Sequence, residues 1–209
     1  MTKNEKDMLK FFDTKNVYSN FMISSLFITA YDLLKNSIIS QIVSFFTNGF
    51  DQNGYIIDKN YKTSVLALAP KNKLKASLLW LIKNGVITEE DKIKFDKIKE
   101  QRNLLAHEIL QFLTDSEKEI DTSLLLDIKH LLKKIDQWFI LEVEIPTDPN
   151  MTKEEYDSID RDNVQSMRMI YLDYLIGIIF GNSEEYENVF KEFKKTIYEK
   201  YGEFNEENS

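Results

Sequence analysis

The chain has 209 residues, enough for one domain with a sizeable core or for one domain carrying an appended subdomain. A net charge of −8 disfavours general adhesion to nucleic acid or anionic membrane, so any polyanion would need a local basic site. The absence of cysteine excludes disulfides and thiolate metal sites, and 43% apolar residues with only 6 Gly and 3 Pro point to long helices joined by short loops.

The pattern predicts a short helix over Glu5–Thr14. A long helix follows over Val17–Thr47, where Ile23, Phe27, Ala30, Leu34, Ile38, Ile42 and Phe45 recur at steps of three and four and are widened by Leu26 and Leu33. Asn48-Gly49 ends it, and Asn53-Gly54 marks a second turn, so a short hairpin can form within the irregular stretch Phe50–Leu68. After Pro70 a compact helix is expected over Lys71–Asn84, closed by Gly85. Thr88 followed by Glu89-Glu90-Asp91 is a helix start, an N-cap hydroxyl followed by acids where the helix dipole favours them. That helix should run to about Leu113.

Helix resumes at Asp121 or Thr122, with a stripe of Leu124, Ile128, Leu131, Ile135 and Trp138. Glu144–Asn150, with two prolines, reads as a linker, dividing residues 1–144 from a C-terminal helical extension over 151–209 that packs on the same domain. Within the extension, Asp160–Phe180 and Ser183–Tyr201 are predicted helices, and the tail after Gly202 is expected to fray. The expected fold class is all-α: an up-and-down helical bundle with additional C-terminal helices. Met1–Lys10 is too polar for a signal peptide. The apolar stretch Phe21–Phe46 is interrupted by Asp32 and Lys35, and Met169–Phe180 is too short to span a bilayer, so a cytoplasmic protein with no membrane partner is expected.

Only two histidines and three arginines occur, and Arg102 and His107 stand five positions apart in the Glu89–Leu113 helix. Arg102 falls in line with Phe95, Ile98, Leu105, Ile109 and Phe112, where an apolar residue would be expected. His107 lies roughly 140° around the helix from Arg102, with Asn103 between them in angle. Lys99, Asn103 and His107 form a ladder at spacings of four along the border of the buried face. A buried arginine needs a carboxylate, a carbonyl array or a phosphate. One reading pairs Arg102 with an acid on a neighbouring helix and makes His107 a packing residue. The other keeps both for a phosphate ester, since histidine titrates near neutral pH and arginine stays charged.

The segments Asn72–Trp80, Gly85–Ile87 and Asp96–His107, and above all Arg102-Asn103 followed by Leu105-Ala106-His107, resemble the HEPN superfamily. The layout of a short helix, a glycine turn and a motif helix looks like its mannitol-repressor-like and abortive-infection-like branches. The resemblance covers about Phe21–Phe139. It implies an antiparallel bundle that often homodimerises through the motif face, so that two Arg–His sets share a cleft. In catalytic members that cleft cuts RNA without metal, by attack of the 2′-hydroxyl on the adjacent phosphate, in defence, stress or toxin–antitoxin roles. Carried onto this chain, His107 is the general base or positions the 2′-hydroxyl, Arg102 holds the phosphate and stabilises charge in the transition state, and Asn103 orients His107 or contacts the phosphate, with Lys99 as an RNA contact. The resemblance also implies an antitoxin or regulatory partner. Ile109 stands where toxins paired with a nucleotidyltransferase often carry tyrosine, which argues against control by modification there. The alternative is a non-catalytic HEPN regulatory or protein-interaction module, its Arg–His motif shaping a dimer interface or a ligand pocket.

Other candidates carry less. His130 should face solvent. Two histidines without cysteine argue against zinc, and the absence of a P-loop or GxGxxG motif leaves no cofactor implied. Tyr171, Tyr174 and Phe180 follow a core pattern, Gly177 permits close helix packing, and Arg161 and Arg168, two turns apart, are expected to form ion pairs.

Overall fold

The computed structural model describes residues 1–52 and 54–181, with isolated positions between 187 and 198. The predicted Ser183–Tyr201 helix and the tail after Gly202 lie largely outside the described residues. The fold is all-α, with one small hairpin. Its helices are α1 (Lys3–Phe12), α2 (Thr14–Phe45), α3 (Lys73–Lys83), α4 (Glu89–Thr114), α5 (Ser123–Phe139), α6 (Ile145–Thr147), α7 (Lys153–Ser158) and α8 (Met167–Phe180).

The long helix α2 is the column of the bundle, packing against α1, α3, α4, α5 and α8, while α4 also packs on α5. Its stripe behaves as the spacing requires over its middle: Phe27, Ala30, Leu34, Ile38 and Ile42 are sealed. At its end the stripe escapes, and Phe45 is 46% exposed. Phe95 and Ile98 of α4 and Ile128, Leu132 and Ile135 of α5 complete the core. Burying so many branched and aromatic side chains, at about 1.5–3 kcal/mol each, is the main force holding the helices together.

Caps explain where several helices begin. Asp13 alone separates α1 from α2, its carboxylate accepting from the backbone N–H groups of Lys15 and Asn16 at 3.0 and 3.2 Å, so α2 starts at Thr14 instead of the expected Val17. Helix α1 starts at Lys3 because Thr2 and Glu5 form a reciprocal capping box. Asn72 caps α3, trimming it to Lys73–Lys83, and Gly85 closes it at φ +70°, a left-handed value suited to glycine. The hairpin pairs β1 (Thr47–Asp51) with β2 (Gly54–Ile57), antiparallel, with a bulge between Thr47 and Gly49.

The C-terminal part departs from the pattern. Pro146 does not break the chain after α5; it sits in the first turn of α6, reached through a π-helical turn over Ile140–Glu144, so helix continues to Thr147. The predicted Asp160–Phe180 helix is in fact a 3-10 turn at Arg161–Asn163 followed by α8, because Ser166 caps a new start through the N–H of Met169 at 3.2 Å. Arg161 and Arg168 therefore do not share a helix. Met169, Leu172 and Gly177 of α8 are buried, but Tyr171 and Phe180 are 54% and 50% exposed, contrary to the core reading. A helix apolar all round cannot bury every face against one bundle.

Helix α1 is turned the unusual way. Lys3, Asp7 and Lys10 reach the loop after α4: Lys3 pairs with Asp115 and Glu117 at 3.4 and 3.1 Å. Asp7 accepts from the Ser116 N–H at 2.8 Å, and the Lys10 ammonium donates to the carbonyls of Asp115 and Lys118 at 2.9 and 2.6 Å. Met8, Leu9 and Phe12 face outward and are exposed. No helix among the described residues is long and apolar enough to cross a membrane.

Candidate functional site

The site is built on α4, and the start of that helix is firmly set. Thr88 and Asp91 exchange hydrogen bonds, Asp91 N–H to the Thr88 hydroxyl at 3.1 Å and Thr88 N–H to the Asp91 carboxylate at 3.0 Å. Lys134 of α5 donates to both carboxylate oxygens of Asp91 at 2.9 and 2.8 Å. Burial pulls the Asp91 pKa up, but Lys134 and the Thr88 N–H outweigh it and hold this carboxyl below its ordinary value.

From there, Phe95, Ile98, Leu105 and Phe112 point into the core, and Ile109 is half-buried. Arg102 occupies the same line but is only half-buried. Its guanidinium carbon lies 5.3 Å from the centre of the Tyr31 ring on α2, and Tyr31 in turn packs on Phe95 at 5.9 Å. Burial raises the pKa of the Tyr31 phenol, offset in part by the Arg102 charge. Among the described residues no carboxylate comes within ion-pair distance of Arg102. Its Nη1 donates to Asn103 Oδ1 at 3.3 Å, and its Nε is buried without a hydrogen-bond partner.

Lys99, Asn103 and His107 are all exposed, on the open side of α4. Asn103 Oδ1 is engaged by Arg102, not by His107, and no described side chain holds the His107 imidazole. Directly after His107 the helix is kinked: Glu108 has φ −126° and ψ 25°. The loop that follows pins both sides of the kink. Lys118 pairs with Glu108 at 3.2 Å and donates to Gln111, and Gln101 exchanges hydrogen bonds with the Asp121 backbone at 2.9 and 3.1 Å. The structure thus brings Arg102 and Asn103 together and leaves His107 open beside them, at the point where α4 changes direction.

A second polar cluster was not apparent from the sequence. Asp136 on α5 is fully buried and accepts from Ser37 of α2 at 2.5 Å, from Ser166, and from Arg168 of α8 through two bonds at 3.0 and 3.1 Å. The available signal was its place between Leu132 and Phe139 on the apolar side of α5. Arg161 pairs with Glu142 and bonds the Tyr156 hydroxyl at 3.2 Å, and His130 is exposed. Among the described residues, no three His, Asp or Glu side chains gather as a metal site would require. No protein-family model matches the chain, and neither the curated proteins nor the solved structures contain a match.

Proposed function

We propose that the chain is a HEPN-type, metal-independent endoribonuclease acting in a defence, stress or toxin–antitoxin setting, with Arg102 and His107 as its catalytic pair. The observation that supports it is the state of Arg102: a guanidinium on the core line of α4, laid on an aromatic face and without a carboxylate in ion-pair reach among the described residues. Such a group keeps its charge-assisted hydrogen bonds for an incoming anion. In this reading His107 takes the proton of the ribose 2′-hydroxyl and that oxygen attacks the adjacent phosphorus. The bond to the 5′-oxygen breaks, and that oxygen takes a proton from the imidazolium of a second copy's His107, so one histidine gains the proton that the other gives up. The products are a 2′,3′-cyclic phosphate and a 5′-hydroxyl. Arg102 holds the phosphate and stabilises the charge that builds on it, while Asn103 steers the guanidinium and Lys99 contacts the RNA backbone. Two copies joined through the motif face supply the two Arg–His sets.

One observation favours a second reading. Asn103 is committed to Arg102, and no described side chain orients His107, which suits a non-catalytic HEPN module binding a partner or ligand through the same face. Incubating total RNA with the wild-type chain and with His107→Ala, in EDTA, separates the two. Cleavage by wild type that is lost in the variant is expected; an inert wild type overturns the nuclease reading in favour of the module.

A further inference from the structure

Both tryptophans of the chain, from helices far apart in sequence, meet two adjacent phenylalanines at one end of the bundle. Trp80 of α3 lies 5.8 Å from Phe45, 6.0 Å from Phe46 and 6.2 Å from Trp138, centre to centre. The four rings are among the residues that line a cleft of about 520 Å³, distinct from the motif face of α4. Phe45, nearly half exposed, stands among its lining rings.

Two further features set this cleft apart. First, both π-helical turns among the described residues border it: Tyr61–Val65 contributes Ser64, and Ile140–Glu144 contributes Glu142 and Val143. Such turns are rare and recur at functional sites. Second, its polar groups have one net sign. Glu142 is neutralised by Arg161, whereas Lys83, at the end of α3, has no carboxylate partner among the described residues. Asn84 donates its amide to the Trp80 carbonyl at 2.8 Å, which keeps its own side-chain oxygen available to accept a bond.

We infer that this cleft binds a flat aromatic ring carrying an anionic group, of the nucleoside monophosphate class, with the ring against Phe45 and the tryptophans and the anion on Lys83. Aromatic walls stack any such ring, and the unpaired ammonium selects for negative charge. The site uses none of the motif residues, so it stands or falls independently of RNA cleavage.

Because both tryptophans line the cleft, their fluorescence reports occupancy directly. Titrating the full chain with AMP should quench the emission saturably, adenosine should bind at least about tenfold more weakly, and inorganic phosphate alone should leave the emission unchanged. Lys83→Ala should bring AMP down to the adenosine level, and Phe45→Ala should weaken both by about tenfold or more. Both positions are exposed, so each variant should keep the wild-type circular dichroism spectrum. No saturable quenching by millimolar AMP, equal binding of AMP and adenosine, or indifference to both substitutions would each overturn the inference.

Discussion

Two arginines enter the helical body of this protein and meet opposite fates. Arg168 lies along the fully buried Asp136, which also takes hydroxyl hydrogen bonds from Ser37 and Ser166. Arg102 lies on Tyr31 with one nitrogen buried and unbonded and no carboxylate within ion-pair distance among the described residues. The first is a closed circuit, in which charge and hydrogen-bonding capacity are consumed inside the chain. The second has capacity left over. A buried N–H without a partner is costly, and the Arg102 Nε is the one guanidinium nitrogen of the two arginines shown in that state.

The contrast can be broken most sharply from the closed side. Arg168→Ala strands the Asp136 carboxylate in the core, and urea unfolding should show a loss of about 3–5 kcal/mol, as for other broken buried pairs. A loss below about 1 kcal/mol would show that the cluster is not a clasp between α8 and the bundle.

Acid should expose a smaller electrostatic contribution at the head of α4. The folded-state pKa of Asp91 lies below the ordinary 3.8, so its contribution is complete above that value and disappears as pH falls through the lower, folded-state value. Unfolding measured from pH 6 downward should therefore show Asp91→Asn less stable than wild type by about 1–2 kcal/mol near neutrality, the gap closing in acid. A gap that stays constant with pH would mean the carboxylate charge contributes nothing.

The smallest stability change is expected where the functional proposal rests. Arg102→Leu places an apolar side chain on an apolar line and forfeits only a contact over Tyr31 worth about 0.5–1 kcal/mol, so the melting temperature should barely move or should rise. Ribonuclease activity, by contrast, should vanish. A large destabilisation would recast Arg102 as a structural residue and remove the contrast with Arg168.

Much of the frame was readable from periodicity alone. The stripe of α2 over Phe27–Ile42, the stripe of α5 over Leu124–Ile135 and the Thr88 start of α4 match the spacing, because burial and capping are local consequences of sequence. What periodicity missed depended on contacts between distant segments. Asp136 looks like any charged residue on a helix until Ser37 and Arg168 arrive from 99 positions before it and 32 after it. Pro146 reads as a breaker, but a proline in a first helical turn costs nothing. Arg102 stands out in the sequence because it interrupts an apolar line; the ring beneath it, Tyr31, does not, since that contact joins two helices.

Helix α1 has a consequence of its own. Its charged edge, Lys3, Asp7 and Lys10, faces the body, and its apolar edge, Met8, Leu9 and Phe12, faces outward, with no residue of the helix buried. What fastens it is ionic and polar, so the fastening answers to ionic strength: rising salt screens the exposed Lys3 pairs while leaving the hydrophobic contacts of the bundle intact. Salt thus becomes the selective handle on this segment, loosening the amino-terminal helix under conditions in which the rest of the protein stays folded.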